Sequence, residues 1–340
     1  MDKRVIFAVA GSGKTTLLID RLTENSRTLI LTHTVNNETH LRAKIISRFG
    51  LIPNGIRVMT WFEFLHCFCF RPFLQEQLAT HGLNFSQPLL RLPRTHPLHY
   101  QDSRGRLYHR RLAQLLTARG LLPDICNRLA RYYDEFLADE VQDFGGHDFN
   151  FLLALCNADV SVLFAGDFYQ HTFDTSRDGN VNSTLHDNIA SYEARFEAAG
   201  VTPDRETLSR TWRCSTTVCE FITGQLNIRI DAHRTHGTLI ETVTDPERVA
   251  TLHADNAVIK LFYREHHRYY CQSLNWGASK GLDHFHDVCI VMGAEHWRLL
   301  NRQELHALPP SSRNKLYVAC SRARGNIYFV PETHLRKFKR

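Results

Sequence analysis

The feature that most constrains this chain is a short segment within its first twenty residues. An apolar run from Val5 to Val9 leads into a loop of small residues, Ala10-Gly11-Ser12-Gly13, and a helix-like stretch follows from Lys14 to Leu22. A strand, a glycine-containing loop and a helix in this order are what a phosphate-binding loop requires, because the loop N–H groups and the helix N-terminus together hold phosphate oxygens. The segment predicts an α/β fold that binds a nucleotide.

Three side chains that suit this chemistry open the predicted helix, namely Lys14, Thr15 and Thr16. In a phosphate-binding loop the lysine reaches the two terminal phosphates and the first hydroxyl ligates Mg²⁺. Ala8 stands where the usual pattern has its first glycine. Taken alone, the segment also fits an ordinary strand-to-helix turn with a surface lysine, so the rest of the chain has to decide.

A pair of adjacent carboxylates, Asp139 and Glu140, directly follows the apolar stretch in which the segment from Tyr132 to Ala138 ends. The stretch predicts a strand, and open parallel sheets bind their ligands at the carboxyl ends of strands. In a nucleoside triphosphatase, Asp139 would hold Mg²⁺ and Glu140 would polarise the attacking water. An isolated Asp-Glu pair is more often a solvated strand end or a helix cap, but the presence of Lys14 upstream favours the catalytic interpretation.

A further buried strand, Val160 to Ala165, delivers the segment Gly166-Asp167-Phe168-Tyr169-Gln170 to the same edge of the sheet, where we expect Gln170 to sense the γ-phosphate. Beyond it, three polar segments each follow or precede a short apolar strand. They are 208–215, 277–283 and 316–324.

In their order along the chain and in their residues, these segments resemble the motifs of superfamily 1 helicases of the UvrD/Rep type. The resemblance extends from residue 5 to about residue 330. The matching segments are Ala-Gly-Ser-Gly-Lys-Thr (10–15), Asp-Glu-x-Gln-Asp (139–143), Gly-Asp-x-x-Gln (166–170), Trp-Arg-Cys (212–214), Ser-Lys-Gly-Leu-Asp (279–283) and Tyr-Val-Ala-x-Ser-Arg-Ala-Arg (317–324).

The resemblance implies two RecA-like P-loop domains with parallel sheets and ATP in the cleft between them. It places Mg²⁺ at Thr15 and Asp139, and makes Glu140 the general base. Arg213 and Arg322 would reach the γ-phosphate, although without the resemblance both would be taken for ordinary surface or DNA-facing arginines. Trp212 matches the position that stacks on adenine, and the segment with Gly281 and Asp283 matches one that approaches the ribose.

The predicted domain boundaries follow from the spacing of the motifs. Residues 1–64 and 132–207 form the first RecA-like domain, which residues 65–131 interrupt as an arginine-rich helical insertion. Residues 208–340 form the second domain, with a short insertion at about 216–272. Larger relatives carry accessory domains at both places, and both insertions are too short to be large separate domains.

Two segments of the first domain resemble the family's contacts to a single strand, namely Thr32-His33-Thr34 and Thr60-Trp61-Phe62. The resulting candidates for nucleic-acid binding are His33, Thr60, Trp61 and Phe173. His33 stands where relatives often have a stacking phenylalanine, and Thr175 where they have a tryptophan that pairs with Phe173.

The insertion concentrates the positive charge of the chain, whose 41 Lys and Arg exceed its 35 Asp and Glu for a net charge of +6. Arginines interleaved with tyrosines are typical of a surface that binds a nucleic-acid backbone, and Arg110 and Arg111 are our candidates within it. The helical spacing of Leu107, Arg111 and Leu115 also fits the polar face of a packed helix. The arginines of the insertion are Arg91, Arg94, Arg104, Arg106, Arg110, Arg111, Arg119, Arg128 and Arg131.

Several classes of protein are not favoured by the sequence. It has neither an apolar run of eighteen residues nor a signal-like start, so we expect a cytoplasmic protein without membrane contact. The nine cysteines are scattered, which fits free, buried thiols in a reducing compartment. Histidine pairs such as His266-His267 lack the spacing of a structural zinc site.

These observations lead to a Mg²⁺-dependent ATPase that couples ATP hydrolysis to translocation on, or unwinding of, single-stranded or tailed DNA. The alternative is a regulatory ATPase subunit that senses nucleotide or DNA and controls a separate nuclease without processive unwinding. The chain resembles the helicase-like subunit of Gabija antiphage systems, which works beside a nuclease. This resemblance rests on the compact size of the chain and on the segment Thr60-Trp61-Phe62. Only Met1 to Arg4 precede the first strand, where relatives carry an adenine-reading glutamine, so base selectivity stays open.

Overall fold

The computed structural model describes residues 2–88, 92–172 and 179–339. The chain divides into two compact units, each assembled from separate stretches of the sequence. Unit 1 comprises Met1–Ile6, Lys14–Gly166 and Asp174–Asp204, and unit 2 comprises Phe7–Gly13, Asp167–Phe173 and Arg205–Arg340. The predicted phosphate loop and the segment after the strand at Val160–Ala165 therefore belong by their contacts to unit 2, although the strands before them lie in the sheet of unit 1.

The strands of this part of the chain are β1 (Lys3–Phe7), β2 (Thr28–Thr32), β3 (Ile56–Thr60), β4 (Leu83–Asn84), β5 (Leu107–Tyr108), β6 (Glu135–Asp139), β7 (Ser161–Gly166) and β8 (Thr202–Asp204). The central sheet of unit 1 has the strand order β3-β2-β6-β7-β1-β8, and the registers of β3 with β2, β2 with β6, β6 with β7 and β1 with β8 are parallel. Strand β2 is buried at every position, as expected for a parallel sheet that is covered on both faces.

The helices of unit 1 are α1 (Lys14–Asp20), α2 (Val35–Phe49), α3 (Trp61–Glu63), α4 (Arg71–Leu78), α5 (Leu112–Ala118), α6 (Leu122–Tyr132), α7 (Gly146–Leu155) and α8 (Ile189–Glu197). The first three are each the next element after a strand of the central sheet. Helix α2 illustrates the local signals, since Thr34 caps its start by accepting the N–H of Asn37, and Gly50 ends it in a left-handed conformation with φ 79°.

The insertion differs in detail from the predicted helical pattern. It begins with a continuous helical run in which α3 and α4 are joined by a π-helical stretch, Phe64–Phe70. The helical spacing predicted from Leu107 begins later, because Leu107–Tyr108 is β5 and α5 starts at Leu112. The predicted strand at Tyr132 also begins later, at Glu135, because α6 continues to Tyr132.

The strands of unit 2 are β9 (Arg210–Thr211), β10 (Asp231–Ala232), β11 (Ile240–Thr242), β12 (Ile259–Phe262), β13 (Ser273–Asn275), β14 (Val288–Met292) and β15 (Ile327–Pro331). They form a second parallel sheet with the strand order β11-β15-β14-β12-β13, and a separate parallel pair of β9 with β10. The helices of unit 2 are α9 (Thr216–Leu226), α10 (Pro246–Ala254), α11 (Ala294–Asn301), α12 (Pro310–Cys320) and α13 (Glu332–Leu335).

The two sheets confirm the predicted α/β class with parallel strands. The cysteines are free thiols, most of them buried, whereas Cys67 is exposed. Among the described residues, no helix combines the length and the apolar character needed to cross a membrane.

Candidate functional site

A direct hydrogen bond joins two predicted site residues of unit 1. The hydroxyl of Thr15, in the first turn of α1, donates to the Oδ2 atom of Asp139 at 3.0 Å. Asp139 is the last residue of β6, so the parallel sheet brings the carboxyl end of this strand to the start of the helix that follows β1. Lys14 is also buried and stabilises the charged form of Asp139. The structure therefore brings Lys14, Thr15 and Asp139 together.

The surroundings of Asp139 disfavour its charge. Burial, and then the neighbouring Glu140, raise the pKa of the Asp139 carboxyl to about 6, and the opposing effects of Lys14 and Thr15 are smaller. Oxygen donors of this kind, a buried carboxylate and a hydroxyl, are the ligands that Mg²⁺ prefers. Thr15 and Asp139 therefore fit a Mg²⁺ ion, whose charge would offset the cost of burying the carboxylate.

Glu140 has a backbone conformation that is unusual for a residue with a side chain. Its φ of 57° and ψ of 47° lie in the left-handed region, which costs a non-glycine residue on the order of 1–3 kcal/mol and is found mainly at functional sites. Its N–H donates to Asp139 Oδ1 at 3.0 Å, and its Oε2 accepts a hydrogen bond from Gln142 Nε2. The carboxylate of Glu140 is thus held by the next glutamine of the Asp-Glu-x-Gln segment.

Gly166 ends β7 at a position that has no room for a side chain. A Cβ atom at this position would lie 2.4 Å from Gln142 Oε1 and 2.7 Å from Val141 Cγ1, so no side chain fits there. The glycine of the Gly-Asp-x-x-Gln segment therefore makes room for the glutamine that holds Glu140.

The loop from Ala10 to Gly13 is fixed by contacts within unit 2. Gly11 and Gly13 have φ values of 70° and 97°, and space is open around the Cα of Gly13, as a loop that receives phosphate requires. The N–H of Ala10 donates to the hydroxyl of Tyr317 at 2.9 Å. Ser12 is buried and donates its hydroxyl to the Val9 carbonyl at 2.8 Å.

Gln170 is buried, and its Nε2 donates to Asp167 Oδ2 at 2.9 Å. The same carboxylate atom accepts the Tyr317 hydroxyl at 2.9 Å. The predicted phosphate sensor is thus connected through Asp167 and Tyr317 to the N–H of Ala10. No sequence pattern singles out Asp167 or Tyr317 as a partner of the loop, although both lie within the motifs.

The two predicted arginines of unit 2 share one carboxylate. Arg213 donates to Asp283 Oδ1 and to the Ser321 carbonyl, and Arg322 donates to Asp283 Oδ1 at 3.2 Å. Burial and the charge of Arg213 lower the pKa of Arg322 to about 10, so it stays charged at neutral pH. The resemblance predicts that Asp283 approaches a ribose. In the structure its carboxylate accepts hydrogen bonds from both guanidinium groups.

The remaining predicted nucleotide contacts lie in different surroundings. Trp212 is 57% exposed, and its backbone N–H donates to the Gly11 carbonyl at 2.9 Å. Thr16 accepts a hydrogen bond from Lys44 in unit 1 at 3.2 Å. Gly281 has a φ of 81°, which favours glycine at that turn.

The candidate nucleic-acid contacts of unit 1 follow the carboxyl ends of β2 and β3. His33 is buried edge-on against Phe62 at 5.3 Å, and the Thr60 hydroxyl caps α3 by accepting the Glu63 N–H. Trp61 is fully buried and packs on Phe144 at 5.0 Å between ring centres. Trp61 is therefore a core residue, and the half-buried Phe62 is more exposed than Trp61.

The arginine candidates of the insertion differ from each other in burial. Arg111 is buried and donates to the His99 carbonyl at 2.6 Å, which joins two parts of the insertion, whereas Arg110 is half-buried. The nucleic-acid role of both stays a prediction. Phe173, Thr175 and Arg91 lie outside the described residues.

No protein-family model and no curated protein matches the sequence. Among solved structures, the PRRSV helicase aligns with a TM-score of 0.49 at 14% identity, over 99% of this chain and 54% of that chain. An arterivirus nonstructural protein 10 helicase, in complex with DNA, aligns with a TM-score of 0.48 at 16% identity, over 96% of this chain and 60% of that chain. The chain spans roughly half to three-fifths of the length of these helicases.

Proposed function

We propose that this chain is a Mg²⁺-dependent ATPase of the UvrD/Rep-like superfamily 1 type, which couples ATP hydrolysis to translocation on, or unwinding of, DNA. The observation that carries the proposal is the hydrogen bond from Thr15 to Asp139 beside buried Lys14. It combines a phosphate loop, a cation site and an adjacent second carboxylate, which are the parts that phosphoryl transfer to water requires.

The loop would bind the phosphates of ATP. Gly11 and Gly13 have positive φ values, which glycine adopts in loops whose backbone N–H groups bind phosphate, and Lys14 would supply a positive charge to the terminal phosphates. Thr15 and Asp139 would hold the Mg²⁺ ion. When bound, this ion neutralises phosphate charge and orients the phosphate to be transferred.

Glu140 would accept a proton from the attacking water. Its left-handed backbone turns it away from the direction of β6, and Gln142 holds its carboxylate. A base needs a fixed position within hydrogen-bond reach of the proton that it removes, and this pairing supplies the fixed position.

Arg213 and Arg322 would stabilise the charge that develops on the transferred phosphate. A Cβ atom at Gly11 would lie 2.9 Å from the Cβ of Arg213, so this arginine is a direct neighbour of the loop within unit 2. Both guanidinium groups pair with the Asp283 carboxylate, so a phosphate that binds them must compete with this carboxylate.

The single strand would contact unit 1 at the carboxyl ends of β2 and β3, where His33 and Thr60 lie. Aromatic rings and hydroxyl groups suit stacking on bases and hydrogen bonding to the backbone. A basic chain with net charge +6 adds a favourable long-range term.

The decisive experiment measures ATP hydrolysis by the full chain with and without single-stranded DNA, in Mg²⁺ and in a chelator. We expect hydrolysis that requires Mg²⁺, that DNA stimulates, and that Lys14→Ala abolishes, whereas Lys337→Ala, at an exposed lysine of unit 2, keeps it. Strand displacement on a tailed duplex then separates unwinding from translocation. Hydrolysis that depends on Lys14 but does not respond to DNA of any length would contradict the motor and favour a regulatory ATPase beside a partner nuclease. Hydrolysis that ignores Lys14 would overturn the whole proposal.

A further inference from the structure

A cleft of about 270 Å³ lies in unit 2 and shares no lining residue with the phosphate loop. It opens at the carboxyl ends of three neighbouring parallel strands, β12, β14 and β15. Its walls include Phe262 at the end of β12, Gly293 directly after β14 and Glu332 directly after β15. Open parallel sheets bind their ligands outside the carboxyl ends of strands, so the position of this cleft is suited to binding.

The imidazole of His296 forms part of the wall and carries an unsatisfied nitrogen. The residue is only 8% exposed, and its Nδ1 atom has no hydrogen-bond partner among the described residues. The ring is fixed by Trp276 and Tyr263, whose ring centres lie 5.0 and 4.7 Å away. Burial lowers the pKa of His296, so the imidazole is neutral at neutral pH. A buried polar atom without a partner is unfavourable, and a ligand that bonds to Nδ1 would remove this cost.

Gly293 leaves a gap between this nitrogen and a carboxylate. A Cβ atom at position 293 would lie 3.5 Å from His296 Nδ1 and 3.8 Å from Glu332 Oε2, so both atoms border the gap. The φ of Gly293 is −64°, which any residue can adopt. Within the described part of the chain, the contacts of Glu332 go to its other oxygen, since Oε1 accepts the Tyr269 hydroxyl at 2.7 Å and lies 3.7 Å from Lys339 Nζ. Oε2 is therefore available to a ligand.

The charges around the cleft disfavour a cation as its ligand. Lys339 Nζ lies 3.2 Å from Glu265 Oε2 and 3.7 Å from Glu332 Oε1, so it offsets the charge of both carboxylates. The described residues also hold no group of three or more His, Cys, Asp or Glu side chains that could bind a metal ion. An uncharged ligand fits better. It must bring an acceptor for the N–H of the neutral imidazole and N–H donors for the carboxylate of Glu332.

We propose that this cleft binds a guanine base, whose O6 accepts a hydrogen bond from His296 Nδ1 and whose N1–H and N2–H donate to the Glu332 carboxylate. Guanine presents one acceptor beside two adjacent donors on a single edge, whereas adenine has an acceptor where guanine has N1–H. Two parallel N–H donors on a carboxylate form strong, charge-assisted hydrogen bonds.

The size of the cleft agrees with a base rather than a whole nucleotide. Sites for drug-sized ligands have volumes of about 300–1,000 Å³, and this cleft is slightly smaller. The base would occupy it and the sugar would stay outside. The inference goes beyond the proposed function and does not depend on it, because the cleft contains none of the residues proposed for hydrolysis.

Isothermal titration calorimetry of the full chain with guanosine tests the proposal. Guanosine carries no phosphate, so Lys14→Ala should bind it as well as the wild type does. Adenosine should bind at least about tenfold more weakly, because its N1 acceptor would face the carboxylate. Gly293→Ala should weaken guanosine binding by at least about tenfold, since the new methyl group fills the gap. Gly224→Ala, at an exposed glycine of α9 with open space around it, should leave binding unchanged.

His296→Phe separates the hydrogen bond from the fold. Phenylalanine keeps a ring beside Trp276 and Tyr263 but lacks Nδ1, so guanosine affinity should fall by about tenfold while the melting temperature stays equal or rises. Equal affinities for guanosine and adenosine would overturn the inference. Guanosine binding that neither Gly293→Ala nor His296→Phe weakens would also overturn it, as would the lack of guanosine binding by the wild type.

Oligonucleotides identify the source of the base. If the base belongs to a nucleic-acid strand, one guanine in a single-stranded thymidine oligonucleotide should tighten binding, and Gly293→Ala should remove this gain. If the base belongs to a free nucleoside or nucleotide, guanosine should bind as expected and the guanine in the oligonucleotide should add nothing. Failure of the proposed function is distinct, since it would show as wild-type hydrolysis that does not depend on Lys14.

Discussion

The hydroxyl of Tyr317 donates a 2.9 Å hydrogen bond to Oδ2 of Asp167, and both residues are buried. The same hydroxyl accepts the N–H of Ala10 at 2.9 Å. Tyr317 lies in α12, Asp167 follows β7, and Ala10 belongs to the phosphate loop. One phenolic oxygen thus connects three motifs that are far apart in the sequence, and the conformation of the loop depends on a helix near the end of the chain.

Replacing Tyr317 by phenylalanine should therefore destabilise the fold and impair hydrolysis. The substitution leaves the buried N–H of Ala10 without its acceptor and removes one donor from Asp167, so we expect a loss of about 1–3 kcal/mol in the free energy of unfolding. Because the loop loses its anchor, KM for ATP should rise as well. Chemical denaturation and steady-state hydrolysis measure the two effects.

Tyr269→Phe is the matched control for this prediction. Its hydroxyl donates to Glu332 Oε1 at 2.7 Å, also from a buried tyrosine to a carboxylate in unit 2, but away from the loop. It should lower stability without raising KM. Equal KM values for both variants would show that the Tyr317 hydroxyl does not support the loop.

Glu140→Gln should abolish turnover and keep ATP binding. The amide can offer its oxygen to Gln142 Nε2 and preserve the geometry, but it cannot take a proton from water, so kcat should fall by at least about 100-fold. Glu135→Gln, which removes a carboxylate at the other end of β6 that pairs with Arg21, should leave kcat nearly unchanged. Near-normal turnover by Glu140→Gln would remove Glu140 from the role of base.

The sequence was sufficient for the sheets and for the contact between Thr15 and Asp139. Apolar runs such as those in β1 and β7 predict strands of a parallel sheet, and polar residues at their carboxyl ends meet at one edge. Local patterns of this kind depend on neighbouring residues, and those are visible in a sequence.

The side-chain partners of the motif residues could not be predicted in the same way. That Asp283 holds Arg213 and Arg322, or that Tyr317 reaches Ala10, depends on packing between distant segments. The burial of individual side chains could not be predicted from the sequence either. The pattern Thr60-Trp61-Phe62 does not show which aromatic ring faces the core, and the structure buries Trp61 completely.

Asp139→Asn should stabilise the protein in the absence of Mg²⁺. Burial raises the pKa of Asp139 to about 6, so between its unfolded value and about pH 6 the folded state binds a proton that the unfolded state lacks. Stability contributed by this group is therefore present at low pH and lost as pH rises through about 6. A neutral amide at this position avoids that loss. The free energy of unfolding of Asp139→Asn should therefore exceed that of the wild type by up to about 3 kcal/mol near pH 8.

Two comparisons check the sign of this effect. The difference between Asp139→Asn and the wild type should vanish below about pH 4, where the unfolded carboxyl is protonated too. Mg²⁺ with ATP should raise the melting temperature of the wild type more than that of the variant, and chelation should reverse it. A variant that is less stable than the wild type near pH 8 would contradict the predicted cost of the buried charge.

The neighbouring arginines of the insertion should respond differently to neutralisation. Arg110→Gln should reduce the slope of log affinity against log salt for single-stranded DNA by about 0.7, as expected for one lost phosphate contact. Arg111→Gln should lower the free energy of unfolding by about 1.5–3 kcal/mol, because it removes a buried charged hydrogen bond to His99. An unchanged salt slope for Arg110→Gln would assign this arginine to the polar face of a packed helix.

Removing the charge of Asp283 should weaken the fold and strengthen anion binding. The side chains of Arg213 and Arg322 are only 9% and 2% exposed, and without Asp283 two like charges are left with no shared carboxylate. Because Asp283 itself is 56% exposed, water screens part of this effect, and we expect a loss of about 1–3 kcal/mol for Asp283→Asn.

Pyrophosphate should restore much of that loss, since an anion can take the place of the carboxylate on both guanidinium groups. The melting temperature of Asp283→Asn should therefore rise more steeply with pyrophosphate than that of the wild type or of Asp283→Glu, which keeps the charge. If pyrophosphate stabilises all three proteins equally, the carboxylate and the phosphate do not compete for the arginines. Arg213 and Arg322 would then hold Asp283 as part of the fold, and the charge on the transferred phosphate would have to be neutralised by other groups.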